Sequence, residues 1–139
     1  MLGHDLAAAL PGLRAHAESR MTSTATIRRK TGGSTTDADG YQVPEWEVVH
    51  VELPCRFPPP GSGASGTRTV STPAGETQVA ARRWDCPALT DNLRDGDYID
   101  VTAGRMAETV WHLIEVTPAD QETARRCPVE QVERPSEWT

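Results

Sequence analysis

The chain has 139 residues and a formal charge of −6, and it has no apolar run of the length that crosses a membrane. That length suits one domain with one modest hydrophobic core. The acidic balance argues against a general nucleic-acid binder, because neutralising phosphates takes a surplus of Lys and Arg. It is compatible with a protein that surrounds DNA without gripping it. The first twenty residues lack the basic start of a secretory signal, which predicts a protein kept in a cytoplasm.

The N-terminal residues predict an amphipathic helix. Apolar residues recur at steps of three and four, which places them on one helical face: Leu6, Leu10, Leu13, Ala17 and Met21. A proline inside a helix costs about 3 kcal/mol, so Pro11 is interpreted as the first position of a second helical segment or as a kink. The main helix is predicted from about Pro11 to Arg20, after a shorter turn. Its face of small and medium residues is expected to pack on its own domain or on a neighbouring subunit.

Short β-branched and aromatic runs follow the helix, with turn signals roughly every ten residues. They predict strands within residues 23–33, 45–57, 66–72, 76–87, 97–104, 108–118 and 122–133. Six or seven such strands predict a mainly β fold, a small antiparallel β-barrel or sandwich with an N-terminal α-helix. The predicted organisation is a helical segment at residues 1–21, a β-barrel domain at 22–133 with a long loop at 57–67, and a tail at 134–139.

The long loop has a composition of its own. Residues 57–67 hold three prolines, followed by Gly and Ser at most positions. Prolines favour an extended arm, whereas a Gly/Ser run is flexible. Hairpin connections usually have about two to five residues, so this segment is either a functional loop or a disordered insertion.

An acidic stretch around Gly40 resembles the opening of a calcium-binding loop. If Gly40 is the sixth loop residue, the first and twelfth ligand positions fall on Thr35 and Trp46, which supply no carboxylate. Asp39-Gly40 between two strand-like runs is instead a hairpin signal, because Gly accepts the positive φ of such turns. We therefore predict a hairpin tip and no metal site.

No catalytic pattern is apparent in the sequence. Cys55, Cys86 and Cys127 lack the C-x-x-C spacing of zinc or redox sites and are predicted to be small buried side chains. The histidines lack ligand spacing, and neither a G-x-S-x-G elbow nor a phosphate-binding glycine loop occurs. The sequence predicts a protein that is not an enzyme and takes no cofactor.

Basic pairs lie on three predicted strands, at Arg28-Arg29-Lys30, Arg82-Arg83 and Arg125-Arg126. Neighbouring residues of a strand face opposite ways, so each pair contributes one charge to each face. Two interpretations stay open. The arginines are solvated sheet surface, or a row of them (Arg28, Arg82 and Arg125) docks to an acidic partner or contacts phosphate.

In chain order these features resemble the small head-closure, or head-to-tail connector, proteins of tailed bacteriophages, particularly those of actinobacterial phages. The resemblance covers about Leu10 to Val132. It rests on the succession of "LRAHAESRM", "TSTATIRRKTGG", "TTDADGYQVPEWEVVHVELPCRF", "RRWDCPA", "LRDGDYIDVTAG" and "VWHLIEVTPADQETARRCPVEQV".

The resemblance implies a virion protein of the phage neck, assembled in the host cytoplasm as a homo-oligomeric, dodecameric ring with no membrane partner. Such a ring lies beneath the portal or its adaptor, extends the channel for double-stranded DNA, retains the genome and docks the tail terminator or tail tube. In some relatives a loop between early strands closes the channel. The matching residues here are Pro58, Pro59, Pro60, Gly61, Ser62, Gly63, Ala64, Ser65 and Gly66, with no bulky plug residue after Phe57.

The candidate subunit or partner interface combines the helix face with the arginine row: Leu10, Leu13, Ala17, Met21, Arg28, Arg82 and Arg125. Two alternatives remain. One is the neighbouring adaptor or tail-terminator protein, although adaptors are mainly helical. The other is a nucleic-acid-binding β-barrel, which needs exposed aromatics beside a basic groove; the chain's tryptophans are Trp46, Trp84, Trp111 and Trp138.

Overall fold

One α-helix precedes seven β-strands. In the computed structural model, residues 2–59, 66–72, 75–116 and 123–138 are described, without the side chains of 2–7, 66–72 and 76–81. The elements are α1 (Leu2–Ser19), β1 (Ser23–Thr36), β2 (Gln42–Cys55), β3 (Gly66–Thr72), β4 (Gly75–Pro87), β5 (Tyr98–Ala103), β6 (Val110–Leu113) and β7 (Ala124–Val132). Every predicted strand is present.

The helix is longer than the sequence predicted. It runs from Leu2 through Pro11 without a break, so the expected start at Pro11 is wrong. Three alanines (Ala7, Ala8 and Ala9) lie just before the proline, and alanine is the strongest helix former, which favours continuation through it.

The strands form an antiparallel sheet in the order β2-β1-β5-β6-β7-β4-β3, which confirms a mainly β fold with an N-terminal helix. The sheet is open, so the expectation of a closed barrel is wrong. Among the described residues, the backbones of β4 and the end of β2 are joined by one isolated bridge, Arg56 with Asp85, with N–O distances of 3.0 and 2.9 Å. A closed barrel needs a continuous ladder between its end strands, and a single bridge is not one.

Two hairpins extend past the body of the sheet. β3 pairs with residues 75–81 of β4, whereas β7 pairs with residues 82–87. Similarly, β1 pairs with β5 only over residues 24–28, while its pairing with β2 continues to Thr36. We call residues 30–46 the ribbon. Its side chains are exposed except those of Val43 and Trp46, which are half-buried.

The core lies on one face of the sheet, where alternate residues of neighbouring strands meet. Its members are almost inaccessible: Ala25, Ile27, Cys55, Trp84, Cys86, Ile99, Val101, Trp111, Leu113, Cys127 and Val129. The prediction that the three cysteines are small buried side chains is confirmed, and all three are free thiols.

Candidate interaction surfaces

The acidic stretch at the end of the ribbon forms a tight turn. Asp37 Oδ1 accepts hydrogen bonds from the backbone nitrogens of Asp39 (3.0 Å) and Tyr41 (2.8 Å). The Asp37 nitrogen donates to the Tyr41 carbonyl at 2.9 Å, and Gly40 has a φ of 85°. The predicted hairpin tip is confirmed. Across the part of the chain that is described, no group of three His, Cys, Asp or Glu side chains is placed to hold a metal ion.

Where the ribbon joins the sheet, Arg29 is fixed by Asp97. Arg29 Nε lies 2.7 Å from Asp97 Oδ1 and its Nη2 lies 2.8 Å from Oδ2. Asp97 is 1% exposed and also accepts the backbone N–H of Arg94 at 2.9 Å. The hydrogen bond to Asp97 raises the pKa of Arg29, against the opposing effect of burial. This ion pair anchors β1 to the connection between β4 and β5.

Three aromatic rings pack on the sheet face opposite the core. The ring centroid of Trp46 lies 4.9 Å from those of Tyr98 and Trp138, with the planes nearly perpendicular. Trp46 Nε1 donates to Glu137 Oε1 at 3.0 Å, and Lys30 Nζ lies 5.4 Å from the Trp46 ring centroid. The tail therefore covers the outer face, a contact that the sequence analysis missed.

The predicted helix face is only partly covered by its own sheet. Leu10 and Met21 are 9% and 8% exposed and Ala17 is half-buried, whereas Leu13 is 43% exposed.

The predicted arginine row is not brought together. Strand alternation places Arg28 on the outer face, where its Nε lies 3.4 Å from Asp100 Oδ2. Arg82 lies on the core side of β4 and donates to the Pro58 carbonyl at 3.4 Å. Arg125 is half-buried on β7, paired in register with Cys86.

Most of the predicted channel loop lies outside the described residues. Pro58 is buried, Pro59 is exposed and Gly66 begins β3, whereas residues 60–65 are not described.

A different cationic surface appears where the helix ends. Two adjoining cavities of about 240 and 520 Å³ share Arg20 and Arg56 in their linings. One lies between α1 and strands β4 and β7, and the other reaches the β5–β6 turn. We call this surface the arginine groove, defined by Arg20, Arg56, Arg83, Arg105 and Arg126.

The groove is positively charged in an acidic protein. Five arginines and the lining Asp85 give the groove a formal charge of +4. Because the net charge of the whole chain is −6, the residues outside the groove together carry −10. Asp85 is 3% exposed, and its two oxygens lie 2.7 and 2.8 Å from Arg83.

The other four arginines of the groove have no carboxylate partner within the described residues. Arg20 Nη2 lies 3.4 Å from His16 Nε2, and Arg126 Nη2 donates a hydrogen bond to Thr123 Oγ1 at 3.3 Å. Such a surface has unused guanidinium donors and can bind an anionic group. Sequence reasoning missed it because the five arginines come from five separate segments of the chain.

Burial holds the thiols of Cys55 and Cys86 protonated. Burial raises the pKa of Cys55 to about 11 and also raises the pKa of Cys86. Since the thiolate is the reactive form, these side chains serve packing rather than nucleophilic chemistry.

A family model described as "Family of unknown function (DUF6093)" matches residues 13–130. No curated protein matches the chain. No helix in the described ranges is both long and apolar enough to span a bilayer.

Proposed function

The chain belongs to DUF6093, a family of unknown function, and we propose that it is a structural subunit of the bacteriophage head-to-tail connector, of the head-closure type. Its copies form a dodecameric ring in the virion neck between the portal or adaptor and the tail terminator or tail tube. The ring extends the channel for double-stranded DNA and retains the packaged genome.

The observation that carries this proposal is the exposed ribbon. Both faces of residues 31–42 are in solvent, and a two-stranded hairpin of this kind is at best marginally stable by itself. A hairpin segment that is exposed on both faces is well suited to contact a neighbour. Large apolar side chains along the same hairpin support this, since Tyr41, Val51 and Val48 are 71%, 69% and 51% exposed.

The open sheet gives further support. β2 and β3 are its two edge strands, and soluble proteins usually cover or blunt such edges. In a ring of identical subunits each edge is covered by the next copy through a head-to-tail contact.

The nucleic-acid-binding alternative is less well supported. It needs aromatic rings free to stack on bases. Trp84 and Trp111 are only 0% and 4% exposed, so their rings are not free to stack. Trp138 is 9% exposed and its ring packs on that of Trp46.

The test is to locate the chain in phage particles purified from the culture that produces it. We expect a fixed number of copies in one ring at the head–tail vertex, resolved by cryo-electron microscopy of antibody-labelled and unlabelled particles. Absence of the chain from purified particles, or its presence in the capsid shell or tail tube instead, would contradict the proposal.

A further inference from the structure

We propose that the arginine groove of one subunit binds the acidic ribbon tip, Asp37 and Asp39, of a second copy of this chain. The inference builds on the proposed ring, because it names the two surfaces that join neighbouring subunits. The tip is defined here as residues 37–41.

The groove side of the contact rests on unpaired charge. Arg56, Arg105, Arg20 and Arg126 lack carboxylate partners among the described residues, whereas Arg83 is engaged by Asp85. Guanidinium groups bind carboxylates well because their N–H donors match the carboxylate oxygens in pairs. The concavity lets a projecting turn bring its carboxylates among these donors.

The tip side of the contact is a preformed acidic projection. One oxygen of Asp37 holds the turn through the nitrogens of Asp39 and Tyr41, and its second oxygen has no hydrogen bond to another described residue. The Asp39 side chain is exposed and is bonded to no other described residue. A turn that is already ordered loses little conformational entropy when it docks.

The two surfaces lie at opposite ends of one hairpin. Ser23, the first residue of β1, lines the groove together with Arg56, which follows the last residue of β2. The tip joins the far ends of the same strands, at Thr36 and Gln42. At about 3.3 Å per residue, fourteen residues of β1 separate the tip from the groove by roughly 40 Å along the strand.

A tip therefore cannot fill the groove of its own subunit, because the hairpin does not fold back on itself. Complementary patches at two ends of one molecule give a heterologous contact, which closes into a ring when the rotation between subunits allows. Phosphates of nucleic acid are the competing anions. They are disfavoured because the rest of the chain carries −10 and repels a polyanion.

The experiment uses two charge variants of the full chain. The groove variant, Arg56→Glu with Arg126→Glu, brings the formal charge of the groove from +4 to zero. The tip variant, Asp39→Lys, brings the formal charge of the tip from −2 to zero. Sedimentation velocity at low ionic strength measures self-association, and we expect each variant to associate at least tenfold more weakly than the wild-type chain.

Mixing the variants gives the sharpest result. The groove variant retains a native tip and the tip variant retains a native groove, so the mixture can form one native contact per pair. We expect a one-to-one complex that does not grow further, whereas the wild-type chain forms larger assemblies. Native mass spectrometry distinguishes the two.

Matched controls change charge elsewhere. Arg94→Glu and Glu133→Lys alter exposed side chains outside both surfaces and are expected to leave association within twofold of wild type. Circular dichroism and thermal melting verify that all variants fold.

Several outcomes overturn the contact. They are a wild-type chain that stays monomeric, variants that associate as wild type does, and a mixture that forms no complex. A groove variant that loses DNA binding but keeps self-association reassigns the groove to phosphate. None of these outcomes removes the chain from the virion neck, which the particle imaging tests separately.

Discussion

The two ends of the β1–β2 hairpin have the same strand pairing but opposite surroundings. At the base, Ile27 and Cys55 are fully buried in the core. In the ribbon every side chain except Val43 and Trp46 is exposed. Backbone pairing continues through both, so pairing alone does not explain why the hairpin is so long. The base stabilises the subunit, and the ribbon is available to a partner.

Side-chain pattern accounts for this difference. In the base, Ala25 and Ile27 alternate with polar residues and place an apolar row on one face. In the ribbon, residues 31–40 are Thr, Gly, Ser, Asp and Ala, which provide no apolar row for either face. A strand without such a row cannot be held by its own core.

The largest expected effect on the free energy of unfolding is at the junction between the base of the hairpin and the ribbon. Asp97→Ala leaves the Arg29 guanidinium without its carboxylate partner and should lower the free energy of unfolding by about 3–5 kcal/mol, as loss of one member of a buried ion pair does. Urea denaturation measures it. The matched control is Asp91→Ala, whose side chain is 90% exposed, with an expected change below about 1 kcal/mol. Equal losses of unfolding free energy in Asp97→Ala and Asp91→Ala would show that Asp97 does not anchor the hairpin.

An intermediate effect on stability is expected at alkaline pH, through Cys55 at the base of the hairpin. The pKa of the Cys55 thiol rises from 9.0 in the unfolded chain to about 11 in the fold, so the unfolded state loses its proton first. The stabilisation is complete below pH 9 and is lost as the pH rises towards 11, by about 1 kcal/mol per pH unit for this thiol. Urea denaturation at pH 8 and pH 10 measures the loss, and Cys55→Ala should reduce it. A slope that is unchanged by Cys55→Ala would contradict this origin.

The smallest expected effect is at the tip. Asp37→Ala removes the acceptor of two backbone hydrogen bonds, which favours local opening of the turn. We expect amide hydrogen exchange at Asp39 and Tyr41 to accelerate about tenfold, which corresponds to roughly 1.4 kcal/mol, while the free energy of global unfolding stays within about 0.5 kcal/mol. Asp37→Asn keeps a side-chain acceptor and serves as the control. A large global loss would show that tip and base unfold as one unit.

The sequence was sufficient for the strands because their signal is local. Alternating apolar residues and turn dipeptides predicted all seven strands, and Asp39-Gly40 predicted the hairpin tip. The error at Pro11 has a similar origin. The rule that prolines begin helices is local, and it was outweighed by the alanines before it.

The groove and the outer aromatic cluster were not predictable in this way. Arg20, Arg56 and Arg105 are isolated in the sequence and meet only because the ends of α1, β2 and β5 lie side by side. Trp138 belongs to a short tail without periodicity, yet it packs on Trp46 at 4.9 Å. Such contacts depend on the three-dimensional path of the chain, and no spacing rule in the sequence encodes them.

The single bridge between Arg56 and Asp85 gives the groove a mechanical role. Both residues line the groove, and their backbones form the seam where the open sheet comes nearest to closing. A group that binds the groove only while this bridge is intact shifts the local equilibrium away from its opening. If the groove binds a second copy as proposed, the backbone amides of Arg56 and Asp85 therefore exchange more slowly in the assembled chain than in the free one.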